Sequence, residues 1–190
     1  YIEFLYNKLQ RQGFLHRDVV RMVKNDRNIF ASCMLAMGHG DAMVTGRTRN
    51  STVSLNNIRR VIDTRTDGTL FGMSMMITRH ETVFISDTVV NELPSAEEMA
   101  DIAEAAARKV RHMGHEPRVA LLSYSNFGNP MRARAEHIRE AVRILDSRNV
   151  DFEYEGELTA DIALNTNLRE MYPFNRLTGP ANVLVMPGLH

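Results

Sequence analysis

The chain has 190 residues, 44% of them hydrophobic and 24% charged, and its 23 Lys and Arg balance 23 Asp and Glu. That length allows one ample core or two small lobes, while the neutral balance excludes a global basic field for nucleic acid and an acidic tail for a basic partner. No apolar run approaches the roughly 20 residues of a membrane-crossing helix, and the single cysteine, Cys33, excludes an intrachain disulfide framework and fits a reducing cytoplasm.

The opening segment places Ile2, Leu5, Tyr6 and Leu9 at helical spacing. Val19, Val20, Met22, Val23 and then Ile29 to Met37 continue the pattern through two more helices. Ala42 to Gly46 is a short apolar run before a polar loop, and Leu55, Ile58 and Ile62 follow at helical spacing, which predicts a strand, loop, helix unit. Leu70 to Ile77 and Thr82 to Ser86 predict a hairpin turning at Arg79-His80-Glu81, with Met73 to Met76 as strand core rather than a binding face. Ser95 and Glu98 after Pro94 form a capping box, predicting a long helix with Met99, Ile102, Ala103, Ala106, Val110 and Met113 on its buried face and Gly114 at its end.

Arg118 to Ser123 holds consecutive apolar residues, the pattern of a parallel strand buried on both faces. Ala135, Ile138, Val142 and Leu145 mark the next amphipathic helix. A short strand at Asp151 to Tyr154, a helix near Thr159 to Leu164 and a strand at Val183 to Met186 complete the pattern. Strands alternating with helices predict an α/β/α sandwich with a largely parallel sheet, and the best internal boundary, between residues 1–93 and 94–190, is the Glu92-Leu93-Pro94 junction. The first segment is not a signal peptide, and the ends, at Tyr1 and just after the last strand, read as cut from a longer polypeptide.

In open α/β sheets ligands gather beyond the carboxyl ends of strands. Four loops there hold the candidate binding residues: Thr45, Arg47 and Arg49; Asp87; Ser123, Tyr124, Ser125, Asn126, Phe127, Gly128, Asn129 and Pro130; and Pro187 with Gly188 in the run to His190. The Ser123 to Pro130 loop joins hydroxyls, amides and aromatic rings to a glycine turn before a helix, which suits a phosphate or a pantetheine-like ligand, and equally a solvated turn that caps the helix. Arg47 and Arg49 can hold an anion, or stand on the surface while Ser51 or Thr52 caps the next helix. Asp87 is an acid or base candidate, or a loop cap. His112 and His115 come without a metal-ligand set, so no metal is assigned, and the chain carries neither a Gly-x-Gly-x-x-Gly nor a Walker motif.

Asp41 to Gly46, Glu116 to Ser125, Glu155-Gly156-Glu157 with Asp161-Ile162-Ala163, and Gly179 to Pro187 together resemble the phosphotransacetylase (phosphate acetyl/butyryltransferase) family, in that family's order along nearly the whole chain. Leu5 to Arg11, Asp26-Arg27-Asn28, Thr45 to Asn50 and Val150 to Gly156 look closest to one branch, the C-terminal domain of hybrid malic enzymes. The resemblance implies an isocitrate-dehydrogenase-like two-lobed fold, incomplete at its C-terminus, with an interlobe cleft for acetyl-CoA, residues such as Asp161 near it, and assembly into homo-oligomers. It also implies a covalently attached malate-oxidising domain, which would hold NADP and a divalent metal outside this segment, and a cytoplasmic location. Where active transferases resemble one another in Thr-Leu-Arg-Pro, this chain reads Ser54-Leu55-Asn56-Asn57. A neutral amide in place of that guanidinium removes a fixed charge of the kind that stabilises a transition state by about 3 kcal/mol, so no catalytic residue is assigned. The expected role is an acetyl-CoA-responsive regulatory domain; the alternatives are an active phosphate acetyltransferase and an oligomerisation domain without a ligand.

Overall fold

A computed structural model describes residues 1–46, 48–65, 68–130 and 133–188. Helices α1 (Ile2–Leu9), α2 (His16–Asn25) and α3 (Arg27–Ala36) follow the helical repeat of the opening, and α4 (Ser51–Arg59) follows a loop. Leu5, Leu9, Val19, Val23, Ile29, Cys33 and Val61 close on one another as a small core. Asp26 starts α3 by accepting from the amides of Asn28 and Ile29, satisfying donors that a helix start leaves open. Asn50, rather than Ser51 or Thr52, caps α4 by accepting from Thr52 and Val53.

The predicted strand over Ala42 to Gly46 is not formed. A strand needs a neighbour to take its backbone groups, and in this unit the described residues form helices and loops only; Val44 stands 98% exposed. The unit is therefore helical rather than α/β.

The second unit begins with the hairpin β1 (Met73–Ile77) and β2 (Thr82–Ser86), antiparallel as expected. Helix α5 (Ala96–His112) carries the capping box, with the Ser95 amide donating to Glu98 Oε2 at 2.8 Å and the Glu98 amide to Ser95 Oγ at 3.2 Å. It is followed by Gly114 in the left-handed region, φ 86°, where a residue without Cβ has no steric penalty. Then come β3 (Arg118–Leu122), α6 (Ala133–Arg148), β4 (Glu153–Leu158), the short helices α7 (Ala160–Leu164) and α8 (Thr166–Arg169), and β5 (Val183–Val185). The sheet order is β1-β2-β5-β3-β4, parallel from β2 onward.

The run of apolar residues in β3 is explained by two covered faces. Val119 and Leu121 join Phe84, Val183 and Val185 against Met99, Ile102, Ala103, Ala106 and Val110 of α5 and Ile138, Val142 and Leu145 of α6. Ala120 and Leu122 face the other way with Leu158 and Leu184, under Ile162 and Ala163 of α7 and Leu177. Because side chains alternate across a strand, only a two-sided core makes every position apolar. Met113, at the α5 C-cap, lies outside this face and is 42% exposed.

Three expectations change. The compact units are Tyr1–Thr66 and Asp67–His190, not 1–93 and 94–190, because β2 pairs with β5 and so joins the hairpin to the later strands. Met75, Met76 and Ile77 are half or more exposed rather than core: β1 is an edge strand, hydrogen-bonded on one side alone, and only its first residue, Met73, packs on the core. Strand β4 runs on to Leu158, past the predicted stop at Tyr154. Among the described residues no helix is long and apolar enough to cross a membrane.

Gly156 lies where β4 comes closest to β3 and α6. A Cβ there would stand 2.9 Å from Leu121 Cβ, 3.1 Å from the Leu121 carbonyl oxygen and 3.2 Å from Val142 Cγ2. Gly156→Ala is expected to cost about 1–3 kcal/mol through overpacking, read as a lower denaturant midpoint; an unchanged midpoint would contradict the close approach.

Candidate functional site

Beyond Leu122 the chain leaves β3 with the Ser123 amide donating to the Leu158 carbonyl at 2.8 Å. A tight loop follows. Asn126 and Asn129 exchange backbone hydrogen bonds at 3.1 and 3.0 Å, and Phe127 (φ 50°) and Gly128 (φ 86°) turn the corner in the left-handed region. The Asn126 side chain accepts from the amide and hydroxyl of Thr159 at 2.8 and 3.1 Å, and the Phe127 ring packs edge-on to Phe174 at 4.7 Å between centroids. Asn126, Phe127, Gly128 and Asn129 thus build the loop, with Pro130 closing it.

The loop is anchored from below by a residue that the sequence reading did not select. Leu121 pairs with Gly156 and Leu122 with Leu158, so Glu157 is the extra residue of a β-bulge, a device that re-aims a side chain. Its carboxylate is wholly buried. Oε1 accepts from Ser125 Oγ at 2.7 Å, from the Gly128 amide at 2.8 Å and from Arg139 Nη1 at 3.2 Å. Its backbone oxygen accepts from the Phe127 amide at 3.1 Å. Ser125, 1% exposed, also lies 3.2 Å from Ser123 Oγ. Buried charge is tolerated only when paired and hydrogen-bonded, and here the loop and α6 provide both.

Above this anchor lies a cavity of about 390 Å³ lined by Leu93, Ser123, Tyr124, His137, Ile138, Pro187 and Gly188. It lies past the carboxyl ends of β3 and β5, where an open parallel sheet leaves its ligand crevice. His137 Nε2 is buried without a partner among the described residues, and such an atom calls for a ligand or ordered water. Gly188 permits the Pro187–Gly188 turn to pass Glu92, since a Cβ there would meet the Glu92 carbonyl oxygen at 2.9 Å. Of the predicted residues, Ser123, Tyr124, Pro187 and Gly188 line this cavity directly and Ser125 supports it. Leu93, His137 and Ile138 were missed, because a lone histidine on an amphipathic helix carries no local signal of what it faces.

Other predicted residues serve the framework. Asp87 is 3% exposed and accepts from the amides of Gly72, Val89, Val90 and Asn91 at 2.7–3.1 Å and from Asn91 Nδ2 at 2.6 Å. Burial disfavours its charge, but those amides together outweigh it and hold the carboxyl below its ordinary value. That carboxylate is a loop cap, with both oxygens occupied. Asp161 is exposed in the first turn of α7 and its carboxyl is lowered, chiefly by the Thr159 hydroxyl.

In the helical unit, Thr45, Thr48 and Arg49 line a cavity of about 420 Å³ with Arg27 and Asn28; Arg47 lies outside the described residues. Thr45 Oγ1 donates to Asn28 Oδ1 at 2.7 Å. Arg49 is already paired with Asp26 at 2.5 Å, and Asn57 Nδ2 donates to the same Asp26 oxygen at 3.1 Å. Burial works against the charge on Asp26, yet the Ile29 amide, Arg49 and the Asn28 amide lower its carboxyl. One of the two guanidinium groups expected to meet an anion, that of Arg49, is thus paired within the unit, and Asn56, the position of the arginine that the resemblance implies, is exposed. Among the described residues no group of three His, Cys, Asp or Glu can hold a metal ion.

A family model described as Phosphate acetyl/butaryl transferase matches residues 1–190. The chain is similar to an NADP-dependent malic enzyme of Rhizobium meliloti (strain 1021), 53% identical over 190 residues, which is all of this chain and 25% of that protein. It is 40% identical over 173 residues to a phosphate acetyltransferase of Treponema pallidum (strain Nichols), covering 84% of this chain and 51% of that one. The crystal structure of a phosphotransacetylase from Streptococcus pyogenes superposes with a TM-score of 0.87 at 26% identity, over 98% of this chain and 58% of that chain. The chain thus spans a quarter of the malic enzyme and little more than half of the transferases.

Proposed function

The chain belongs to the Phosphate acetyl/butaryl transferase family, and from that premise we propose that it is the regulatory module of a longer, cytoplasmic, homo-oligomeric malic enzyme. In this reading acetyl-CoA binds the module and lowers the oxidative decarboxylation of malate to pyruvate by an attached NADP-linked catalytic domain. The observation that carries it is identity along the whole chain, 53% to a protein named as a malic enzyme. The pairing of Arg49 with Asp26 and the neutral side chain of Asn56 support it from the side of chemistry, because they lower the positive charge available to a phosphoryl group.

Regulation of this kind is a coupling free energy. An effector that lowers malate affinity tenfold contributes about 1.4 kcal/mol and must itself bind tenfold more weakly when malate is present. Calorimetric titration of acetyl-CoA into the complete protein, with malate oxidation followed over the same concentrations, tests the reading. Saturable binding that tracks the loss of rate is the expected result; no binding, or binding without a change in rate, overturns it. Active phosphate acetyl transfer is the second reading, favoured by the 40% identity to a phosphate acetyltransferase, and acetyl phosphate formed from acetyl-CoA and phosphate above background would select it.

A further inference from the structure

Strand β4 carries glutamates at 153, 155 and 157, and each holds a different stretch of chain. Glu153 accepts from the amide and hydroxyl of Thr178 at 2.9 and 2.7 Å. Glu155 accepts from the amide and guanidinium of Arg176 at 2.9 and 3.2 Å, and Glu157 holds the Ser123 to Pro130 loop. The first two fasten the segment between α8 and β5 onto an edge strand. Arg176 completes the fastening. Its guanidinium also donates to Asp146 of α6 at 2.6 Å and lies 4.6 Å from the centre of the Tyr154 ring, while the Tyr154 hydroxyl donates to the same Asp146 oxygen at 2.5 Å. A planar cation suits such a place, since it can bridge two carboxylates and stack on a ring at once.

The fastened segment presents two rings to the loop. Phe127 meets Phe174 edge-on at 4.7 Å and Tyr172 at a tilt at 5.1 Å between centroids, spacings that aromatic pairs favour. Phe174 is 63% exposed, so it is no core residue, and its ring is spent on the loop tip. The tip needs outside support: Phe127 has φ 50°, a region uncommon for a residue with a side chain. The loop that borders the cavity is thus held from below by Glu157 and from outside by rings whose own position is fixed by Arg176.

We propose that Tyr172 to Thr178 is a strap that sets the Ser123 to Pro130 loop and through it the response to the effector, with Arg176 and Phe174 as positioning residues. Arg176 fixes the strap on β4 and α6, and Phe174 passes that position to Phe127. The inference rests on the acetyl-CoA reading and adds to it a control point away from the ligand, because neither residue lines the cavity.

The test uses the complete protein. Hydrogen exchange at the amides of Phe127 and Gly128, both of which donate to Glu157, reads opening of the loop. Phe174→Ala should speed that exchange about fivefold, the value of one aromatic pair, and leave the amides of β3 and α5 at the wild-type rate. It should also weaken acetyl-CoA binding by up to the same factor, since a loop binds in proportion to its closed fraction, with malate oxidation in the absence of acetyl-CoA unchanged. Phe174→Tyr keeps the ring and should restore both values. Arg176→Lys, whose ammonium can meet Glu155 without bridging to Asp146 as the fork does, should shift the same amides in the same direction. Combined with Phe174→Ala it should add less than its separate effect, because both act through one contact. Wild-type exchange in Phe174→Ala, exchange that rises throughout the unit, a faster loop with undiminished acetyl-CoA binding, or additive effects in the double variant would each overturn the inference. Absence of acetyl-CoA binding by the wild type would overturn the regulatory reading and the strap's part in it, whereas the exchange rates judge the hold of the strap on the loop by themselves.

Discussion

Glu157→Ala is expected to destabilise the second unit by about 2–4 kcal/mol, because Ser125 and the Gly128 amide lose their acceptor while Arg139 keeps only Glu136. The variant strands Ser125, the Gly128 amide and Arg139 Nη1 together, because all three converge on one oxygen. Glu157→Gln is expected to cost less than Glu157→Ala, since an amide oxygen placed at Oε1 serves the same donors at the strength of an ordinary hydrogen bond. Its NH2 would take the position of Oε2, which is buried without a partner among the described residues. Chemical denaturation of the three proteins measures both differences, and an alanine variant as stable as the glutamine one would show that the loop does not depend on this carboxylate. The acetyl-CoA response should follow the same order, with alanine losing it as the Ser123 to Pro130 loop is released.

Asp87→Ala should cost about 2–4 kcal/mol, because four part-buried amides and the Asn91 side chain lose their acceptor and an unsatisfied donor costs on the order of 1 kcal/mol where water cannot replace it. The same residue gives a pH signature. The folded carboxyl titrates below its ordinary value, so the folded state binds its proton less readily than the unfolded chain. Its stabilisation is complete above the unfolded pKa of about 4 and drains away as pH falls through the folded value. The wild type should lose stability steeply below about pH 4, and Asp87→Asn, which cannot ionise, should show a shallower fall. Equal slopes in the two proteins would mean that Asp87 titrates alike in both states. A structural carboxylate also predicts that Asp87→Asn binds acetyl-CoA as the wild type does.

Local chemistry made much of this fold readable. The Ser95–Glu98 capping box, the apolar face of α5, the glycine that ends it and the apolar run of β3 each depend on neighbours within a turn or two, and the structure holds each of them. The family resemblance was legible for the same reason, as ordered short motifs along the chain. Reading failed where the deciding partner was distant. Met73 to Met76 looks like core in any local window, yet the sheet order leaves β1 at an edge. Ala42 to Gly46 has the composition of a strand and, among the described residues, no strand beside it in its unit. The strand predicted over Asp151 to Tyr154 runs on through Glu155 and Glu157, charged residues that a local reading does not place inside a sheet.

Tertiary structure reverses that last reading. Glu155 is buried because the Arg176 amide and guanidinium meet it at 2.9 and 3.2 Å, and Glu157 because Ser125, Gly128 and Arg139 do. Their partners lie 18 to 32 positions away in sequence, beyond any periodicity. The cavity has the same origin: Leu93, the ends of β3 and β5 and one turn of α6 meet there only because parallel strands bring their carboxyl ends to one edge of the sheet. The amino-acid sequence by itself determined the amphipathic helices, the Ser95–Glu98 capping box, the two-sided strand and the family, all set by short-range periodicity and ordered motifs. The sheet order, the exposure of β1, the burial of two carboxylates and the cavity at the ends of β3 and β5 were decided only by tertiary structure, because each depends on long-range pairing that no single segment encodes.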